Sequence, residues 1–506
     1  MEIHFPSFEL VATFLLFLIM ILKIGKRAKI NLPPGPWKLP FIGNLHQLVG
    51  SIPHHGLRDL AKKYGALMHL KLGEVSTIVV SSAEFAKEVM KTHDVIFASR
   101  PHILANSILT YGDTNIGFAP YGDYWRQLRK ICTLELLSMK RVQSFRSLRE
   151  EEVFNLIKLI RLRAETPINI TEQIYSFTYG FTSRAAFGIK SKDQDKFIDI
   201  VKQAMKVAGG FDVADVFPSV SLLHLISGMR PKLERLHKEA DRIMENIIKE
   251  HKKDMATSKS QDVEAREDLI DVLLKFHEEE SGLEFSLTAD NVKAIILETF
   301  GAGGETAATT VNWAISEMIK NPRIMQKAQA EVREIFNTKE QVDETEIKEM
   351  MYLNLVIKET LRLHPPFPLL LPRECRESCK IDGYEIPVKT KVVINAWAIG
   401  RDPNYWTNPD SFYPERFLDS SIDLKGKNFE FIPFGAGRRM CPGMSFGLAS
   451  VEFPLASLLY HFDWKLSSGM KHDEDLDMTE AFGVSVRRKQ DLHLIPIPYH
   501  PPTTGK

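Results

Sequence analysis

Residues 434–443 read Phe-Gly-Ala-Gly-Arg-Arg-Met-Cys-Pro-Gly, and the reading of this loop decides how the rest of the 506-residue chain is taken. It sets one cysteine, Cys441, in a glycine-rich turn ahead of an apolar run from Met444 to Leu459. Glycines at 435, 437 and 443 let the backbone lie against a flat ligand, because no Cβ stands in the way. Pro442 suits the first position of a helix, which predicts Cys441 at or beside that helix's N-terminal cap. There the helix dipole and free N–H groups favour a thiolate over a thiol. By itself, Cys-Pro-Gly reads as a buried structural cysteine in a turn. A thiolate held by glycines and N–H donors is also what an axial haem ligand needs, with Arg439 placed to reach an anionic propionate.

The full spacing Phe-x-x-Gly-x-Arg-x-Cys-x-Gly is more specific than the tripeptide. Phe434, Gly437, Arg439, Cys441 and Gly443 fit it, and on those residues the chain resembles the cytochrome P-450 superfamily. The resemblance extends from the proline-rich segment after the N-terminus to the C-terminus. It implies a mainly α fold with small β-sheets, with a haem lying between a central oxygen-activating helix and the helix after the cysteine loop. Haem b is the implied cofactor, with Cys441 as the axial ligand of its iron and Phe434 packed beside it.

Composition sets few further limits. Lys+Arg and Asp+Glu both number 65, so no net basic charge draws the chain to nucleic acid. Four cysteines are too sparse for a disulfide framework, and Cys375 and Cys379 have no Cys or His cluster nearby to complete a metal site. A reducing compartment is expected. Leu10 to Leu22 is free of charge and is followed by Lys23, Lys26, Arg27 and Lys29. The run is shorter than the roughly 18 residues of a confident spanning helix. The Met-Glu-Ile-His start and the basic C-terminal flank still favour an uncleaved anchor over a cleaved signal peptide, with the body in the cytosol. The expected layout is an anchor over 1–24, a basic and proline-rich hinge over 25–40, and one haem-thiolate domain over 41–506. The expected location is the endoplasmic reticulum membrane.

Leu67 to Val80 alternates apolar and polar residues and predicts a small hairpin. From about 140 to 335 the pattern is mostly helical, with stripes at Glu150–Leu162 and Leu233–Lys252. Strand-like pieces return at Tyr384–Ile394 and Leu492–Ile497.

Ala302-Gly303-Gly304-Glu305-Thr306 lies within a helical pattern from Ala289 to Ile319. Two glycines cost a helix interior about 1 kcal/mol each, so they need a reason. One is close packing against another helix; the other is a locally widened helix over a haem. The resemblance favours the second and makes Glu305 and Thr306 the carboxyl and hydroxyl that deliver protons during oxygen activation. Trp125 and Arg129 stand one helical turn apart, and the resemblance gives them a haem propionate, with Arg373 and Arg439 completing the anchorage. Arg126 and Lys130 are left facing outward for an electron donor. Glu359 and Arg362, at i and i+3, are implied to join Arg416 of Pro-Glu-Arg-Phe in a buried structural charge network. Expected pocket walls are Phe118, Phe211, Leu297, Ala302, Phe367, Leu370, Phe482 and Val484, with Asp212, Glu298 and Thr299 as polar exceptions. Such walls suit a hydrophobic substrate.

The chain is most similar to plant microsomal members that oxidise terpenoids, including macrocyclic diterpenes. The resemblance implies a monooxygenase fed by NADPH–cytochrome P-450 reductase, with cytochrome b5 as an alternative donor. An oxygen-independent haem-thiolate isomerase or dehydratase stays open, as does a non-catalytic haem protein; Glu305-Thr306 and the propionate set count against them. A phenylpropanoid or fatty-acid hydroxylase of the same fold is the alternative substrate reading.

Overall fold

Residues Ala289–Lys320 form a single helix, 32 residues long, that serves as the axis of the molecule. The computed structural model describes residues 30–188, 193–207, 213–220, 223, 226–258, 267–278, 287–337, 339, 341–467 and 476–500. The axis starts at a capping box: Asn291 N–H donates to Thr288 Oγ1 at 3.2 Å, and Thr288 N–H donates to Asn291 Oδ1 at 3.0 Å. Its side chains are apolar on most faces, and the helix is accordingly covered by neighbours. Those neighbours are Ile170–Phe187 (the tyrosine helix), Met444–His461 (the cysteine helix) and Met351–Leu363.

The axis remains α-helical through Gly303 and Gly304. A Cβ on Gly304 would stand 2.5 Å from the Tyr179 ring, and one on Gly303 would stand 3.2 Å from Thr182 and 3.3 Å from Phe446. The glycine pair therefore lets two helices approach closely, and the locally widened helix expected from the sequence is not formed.

The hairpin forms as expected, with Leu67–Leu72 antiparallel to Val75–Val80. Lys391–Ile394 adds to it in parallel, and Arg373–Glu374 pairs on the outer edge. Its strands are buried on both faces, because Leu67, Ile78 and Val80 enter one core cluster while Met68, Leu70, Leu72 and Val79 enter another. The predicted Tyr384–Ile394 strand divides. Tyr384–Ile386 pairs with Cys379–Ile381, Pro387 follows, and Lys389 turns the chain at φ 66° before Lys391. Near the C-terminus, His493–Pro498 pairs with Phe462–Leu466 and with Ile168–Asn169. The expected anchor, the cluster from Lys23 to Lys29, Phe211 and Asp212 lie outside the described residues. Among the described residues no helix is long and apolar enough to cross a membrane.

Glu359, Arg362 and Arg416 meet on the outer side of the Met351–Leu363 helix. Arg362 donates Nε to Glu359 Oε2 at 2.7 Å and Nη2 to Oε1 at 2.8 Å. Its other N–H groups reach the carbonyls of Gly400, Pro409 and Ser411, so all five donors are used. Glu359 Oε1 also accepts from Arg416 Nε at 3.0 Å and Tyr413 N at 2.8 Å. Both side chains of the central pair are fully buried. Removing one partner would strand a buried charge. Glu359→Ala is expected to destabilise the fold by about 3–5 kcal/mol, whereas Arg323→Ala, which removes an exposed arginine from a pair with Glu415, should cost about 1 kcal/mol or less. Comparable melting temperatures for the two variants would refute this ranking.

Candidate active site

The cysteine loop closes one side of a cavity of about 350 Å³. Gly435 and Gly437 take φ values of 72° and 69°, and a Cβ on Gly437 would come within 2.2 Å of Met90 O. No other residue type fits at 437 without moving the neighbouring backbone. Cys441 N–H donates to Phe434 O at 2.9 Å, which folds the loop back and leaves the sulfur open to the cavity. The following helix begins at Met444 with Gly443 as its cap, so Cys441 stands two residues before the cap, where Pro442 had suggested a place at or beside it. Burial pushes the Cys441 thiol up, while Gly443 N–H and the Arg129 charge pull it down.

Four guanidinium groups line the same cavity, those of Arg100, Arg129, Arg373 and Arg439, and among the described lining residues Glu298 is the lone carboxylate. Arg439 donates to the carbonyls of Ala98, Ile116 and Ala119, with its guanidinium 4.3 Å from the centre of the Trp125 ring. Arg373 donates to Ala436 O at 2.9 Å and lies 3.5 Å from Asp94. Arg100 donates to the carbonyls of Gly117, Leu371 and Pro372, each at 2.8 Å. Trp125 Nε1 donates to Ile116 O at 3.0 Å. The Arg129 guanidinium makes no hydrogen bond or ion pair among the described residues. Burial, with Arg373 and Arg129 nearby, pushes the Arg439 guanidinium down to about 9. Burial pushes the Glu298 carboxyl up to about 7, even though Gly117 N–H, Arg100 and Arg439 oppose it. The cavity thus carries uncompensated positive charge in an apolar setting and is built to take an anionic group.

The opposite wall is the central helix, with Leu297, Glu298, Ala302, Gly303 and Thr306 toward the cavity. Thr306 Oγ1 donates to Ala302 O at 2.7 Å, so its hydroxyl is held against its own helix. Glu305 faces away. Its carboxylate accepts from Tyr175 OH at 3.1 Å and Tyr179 OH at 3.0 Å, behind the helix. Phe118, Phe367, Leu370, Phe434 and Val484 also line the cavity, whereas Phe482 is 42 % exposed and does not. Arg100 and the two tyrosines were not singled out in the sequence. An arginine before Pro101 and two tyrosines at i and i+4 are visible there, but nothing local assigns them to this site.

The Cytochrome P450 family model matches residues 33–494. The chain is 55% identical to premnaspirodiene oxygenase of Hyoscyamus muticus, over 98% of this chain and 99% of that protein. It is 56% identical to desmethyl-deoxy-podophyllotoxin synthase of Sinopodophyllum hexandrum, over 98% of each. It is 53% identical to 5-epiaristolochene 1,3-dihydroxylase of Nicotiana tabacum, over 98% of this chain and 99% of that protein. A zebra fish cytochrome P450 structure with progesterone superposes with a TM-score of 0.75 at 25% identity, covering 89% of this chain and all of that one.

An orphan guanidinium at Arg129, three further buried arginines and a sulfur open to the cavity fit a flat dianionic macrocycle such as haem. Charge-assisted hydrogen bonds contribute about 1.5–3 kcal/mol each. In fluorescence-quenching titrations of the apo-protein, protoporphyrin IX is therefore expected to bind at least about tenfold more tightly than its dimethyl ester. Arg129→Ala should remove most of that preference. Equal affinity for acid and ester would show that these arginines do not serve an anion.

Proposed function

From the premise that this chain belongs to the cytochrome P450 family and is a haem b monooxygenase, we propose that its substrate is a terpenoid and its electron source NADPH through a membrane-bound reductase. The observation that carries the substrate class is the wall chemistry: Phe118, Leu297, Ala302, Phe367, Leu370 and Val484 surround the space beside Cys441 with apolar surface. Relatives named for premnaspirodiene and 5-epiaristolochene support a terpenoid. The relative named for podophyllotoxin makes an aromatic substrate the reading to exclude.

Haem, when bound, supplies dioxygen reduction and transfer of one oxygen atom into the substrate. The chain's own residues do the rest. Cys441 would hold the iron, and Arg129 would hold the propionates together with Arg100, Arg373, Arg439 and Trp125, the last four in exchange for the carbonyls they now meet. The apolar walls exclude water and orient the substrate by shape. Thr306, the hydroxyl of the oxygen-side wall, passes protons inward, and Glu305 restores them from behind the helix. The exposed Arg126 and Lys130, on the helix bearing Trp125 and Arg129, suit the docking of an acidic donor domain. An anchor over residues 1–24 and a hinge over 25–40 would hold the 41–506 domain on the cytosolic face of the endoplasmic reticulum.

The substrate class is tested with purified holoenzyme and reductase, by haem spectral shifts and turnover over sesquiterpenes, diterpenes, fatty acids and phenylpropanoids. Micromolar shifts and turnover confined to terpenoids are expected; turnover of phenylpropanoids alone would overturn the reading. Thr306→Ala should keep haem content and substrate affinity while product per NADPH falls and hydrogen peroxide rises. Loss of placed acid–base help costs ~10²–10⁴ in rate, and water entering the site would lessen this. Unchanged product per NADPH would remove Thr306 from the proton path.

A further inference from the structure

Glu305 is held more firmly than a passing contact requires. Both carboxylate oxygens accept from phenols, Oε1 from Tyr175 and Oε2 from Tyr179. Both tyrosines are buried and stand at i and i+4 on one helix, their rings 6.2 Å apart and nearly parallel. Gly304 makes room for the Tyr179 ring. Lys202 Nζ lies 5.2 Å and 5.8 Å from the two ring centres, within reach of both faces for a cation.

A chain of hydroxyls leads on from there. Tyr175 OH lies 3.2 Å from Thr309 Oγ1, and Thr309 Oγ1 lies 3.3 Å from Ser485 Oγ. Each hydroxyl has one proton to give. Tyr175 gives its own to Glu305, so Thr309 must donate to Tyr175 and Ser485 to Thr309. All these donors point toward the carboxylate. Ser485 sits in the hairpin formed by Glu480–Ala481 and Arg487–Arg488, whose Phe482 is open to solvent and whose Val484 lines the cavity.

We propose that Tyr175 is a positioning residue that holds the Glu305 carboxylate behind the central helix and restores its proton along the line Ser485, Thr309, Tyr175. As Tyr175 passes its proton to Oε1 it takes the proton of Thr309, which takes that of Ser485, and water entering at the hairpin, to which Ser485 is 6 % exposed, replaces the last. No hydroxyl is left charged. Glu305 then turns toward Thr306 and gives the proton up. Tyr179 belongs to the hold but not to the line. The inference rests on the reading of Thr306 and Glu305 as the proton donors.

The test uses full-length holoenzyme with reductase and a terpenoid it turns over. Tyr175→Phe removes one oxygen and keeps the ring. It is expected to lower product per NADPH about tenfold, raise hydrogen peroxide and enlarge the solvent deuterium isotope effect, with haem content and the substrate spectral titration unchanged. Thr309→Val, which cuts the line one step earlier, should do the same. In a Glu305→Gln background Tyr175→Phe should add nothing, as expected of groups that act through one another. Without turnover, the infrared carboxylate band lost in Glu305→Gln should shift in Tyr175→Phe and in Tyr179→Phe. If Tyr175→Phe leaves coupling and isotope effect as in wild type while Glu305→Gln impairs both, the relay is wrong and the role of Glu305 stands. If Glu305→Gln is itself fully coupled, the donor reading falls and the relay with it. An unmoved infrared band would show that the phenols do not hold the carboxylate.

Discussion

Positive charge concentrated inside an apolar cavity is the constraint around which this molecule is arranged. Arg100, Arg129, Arg373 and Arg439 face one space with Glu298 as the sole acid among the described lining residues. Bringing ionised groups out of water is costly unless partners are supplied. The fold supplies provisional ones, since the carbonyls of Ala98, Ile116, Gly117, Ala119, Leu371 and Pro372 turn inward to meet Arg100 and Arg439. Carbonyls carry only partial charge. A dianionic cofactor answers the same donors with full charge, so cofactor binding and the completion of the fold are one process seen from two sides.

Around that space the structure separates rigidity from chemistry. The Glu359–Arg362 pair, with every guanidinium donor used, locks the outer side of the Met351–Leu363 helix and the segment around Tyr413. Asp94 ties the cysteine loop to Arg373 by accepting from Arg438 N at 3.0 Å. The glycines of the central helix bring the tyrosine helix within ring contact. These groups fix where sulfur, hydroxyl and cations stand.

The cysteine loop was legible in the sequence because its identities and spacing are local: a turn that needs Gly437 and an arginine two residues before a cysteine can be read without knowing the fold. The charge network was legible for a similar reason, since Glu359 and Arg362 share a helix face. The direction of Glu305 was not. It is decided by phenols 130 and 126 positions earlier in the chain, and helical periodicity does not say which helix will pack there. Arg100 lay equally out of reach, its partner carbonyls at Leu371 and Pro372 coming from a distant loop. Phe482 and Val484 looked alike as apolar neighbours. Residues 482–486 are not strand, so no alternation indicated that one would face solvent and the other the cavity.

Apart from Leu297 and Ala302, which share the central helix with Thr306, the apolar cavity walls have a different origin from the machinery they enclose. Phe118 lies in a loop, Phe367 and Leu370 lie between the Met351–Leu363 helix and the Arg373 strand, and Val484 lies in a hairpin turn. Cys441 and Arg439 are fixed by a glycine turn, Arg129 and Thr306 by helices, and Arg373 by a strand. Exchanging one apolar wall residue for another therefore leaves the donor set and the buried ion pair untouched. A lineage built on this plan can drift from one carbon skeleton to the next through a few loop substitutions without crossing an unfolded or inactive intermediate. The fold is conservative where charge is buried and permissive where hydrocarbon meets hydrocarbon.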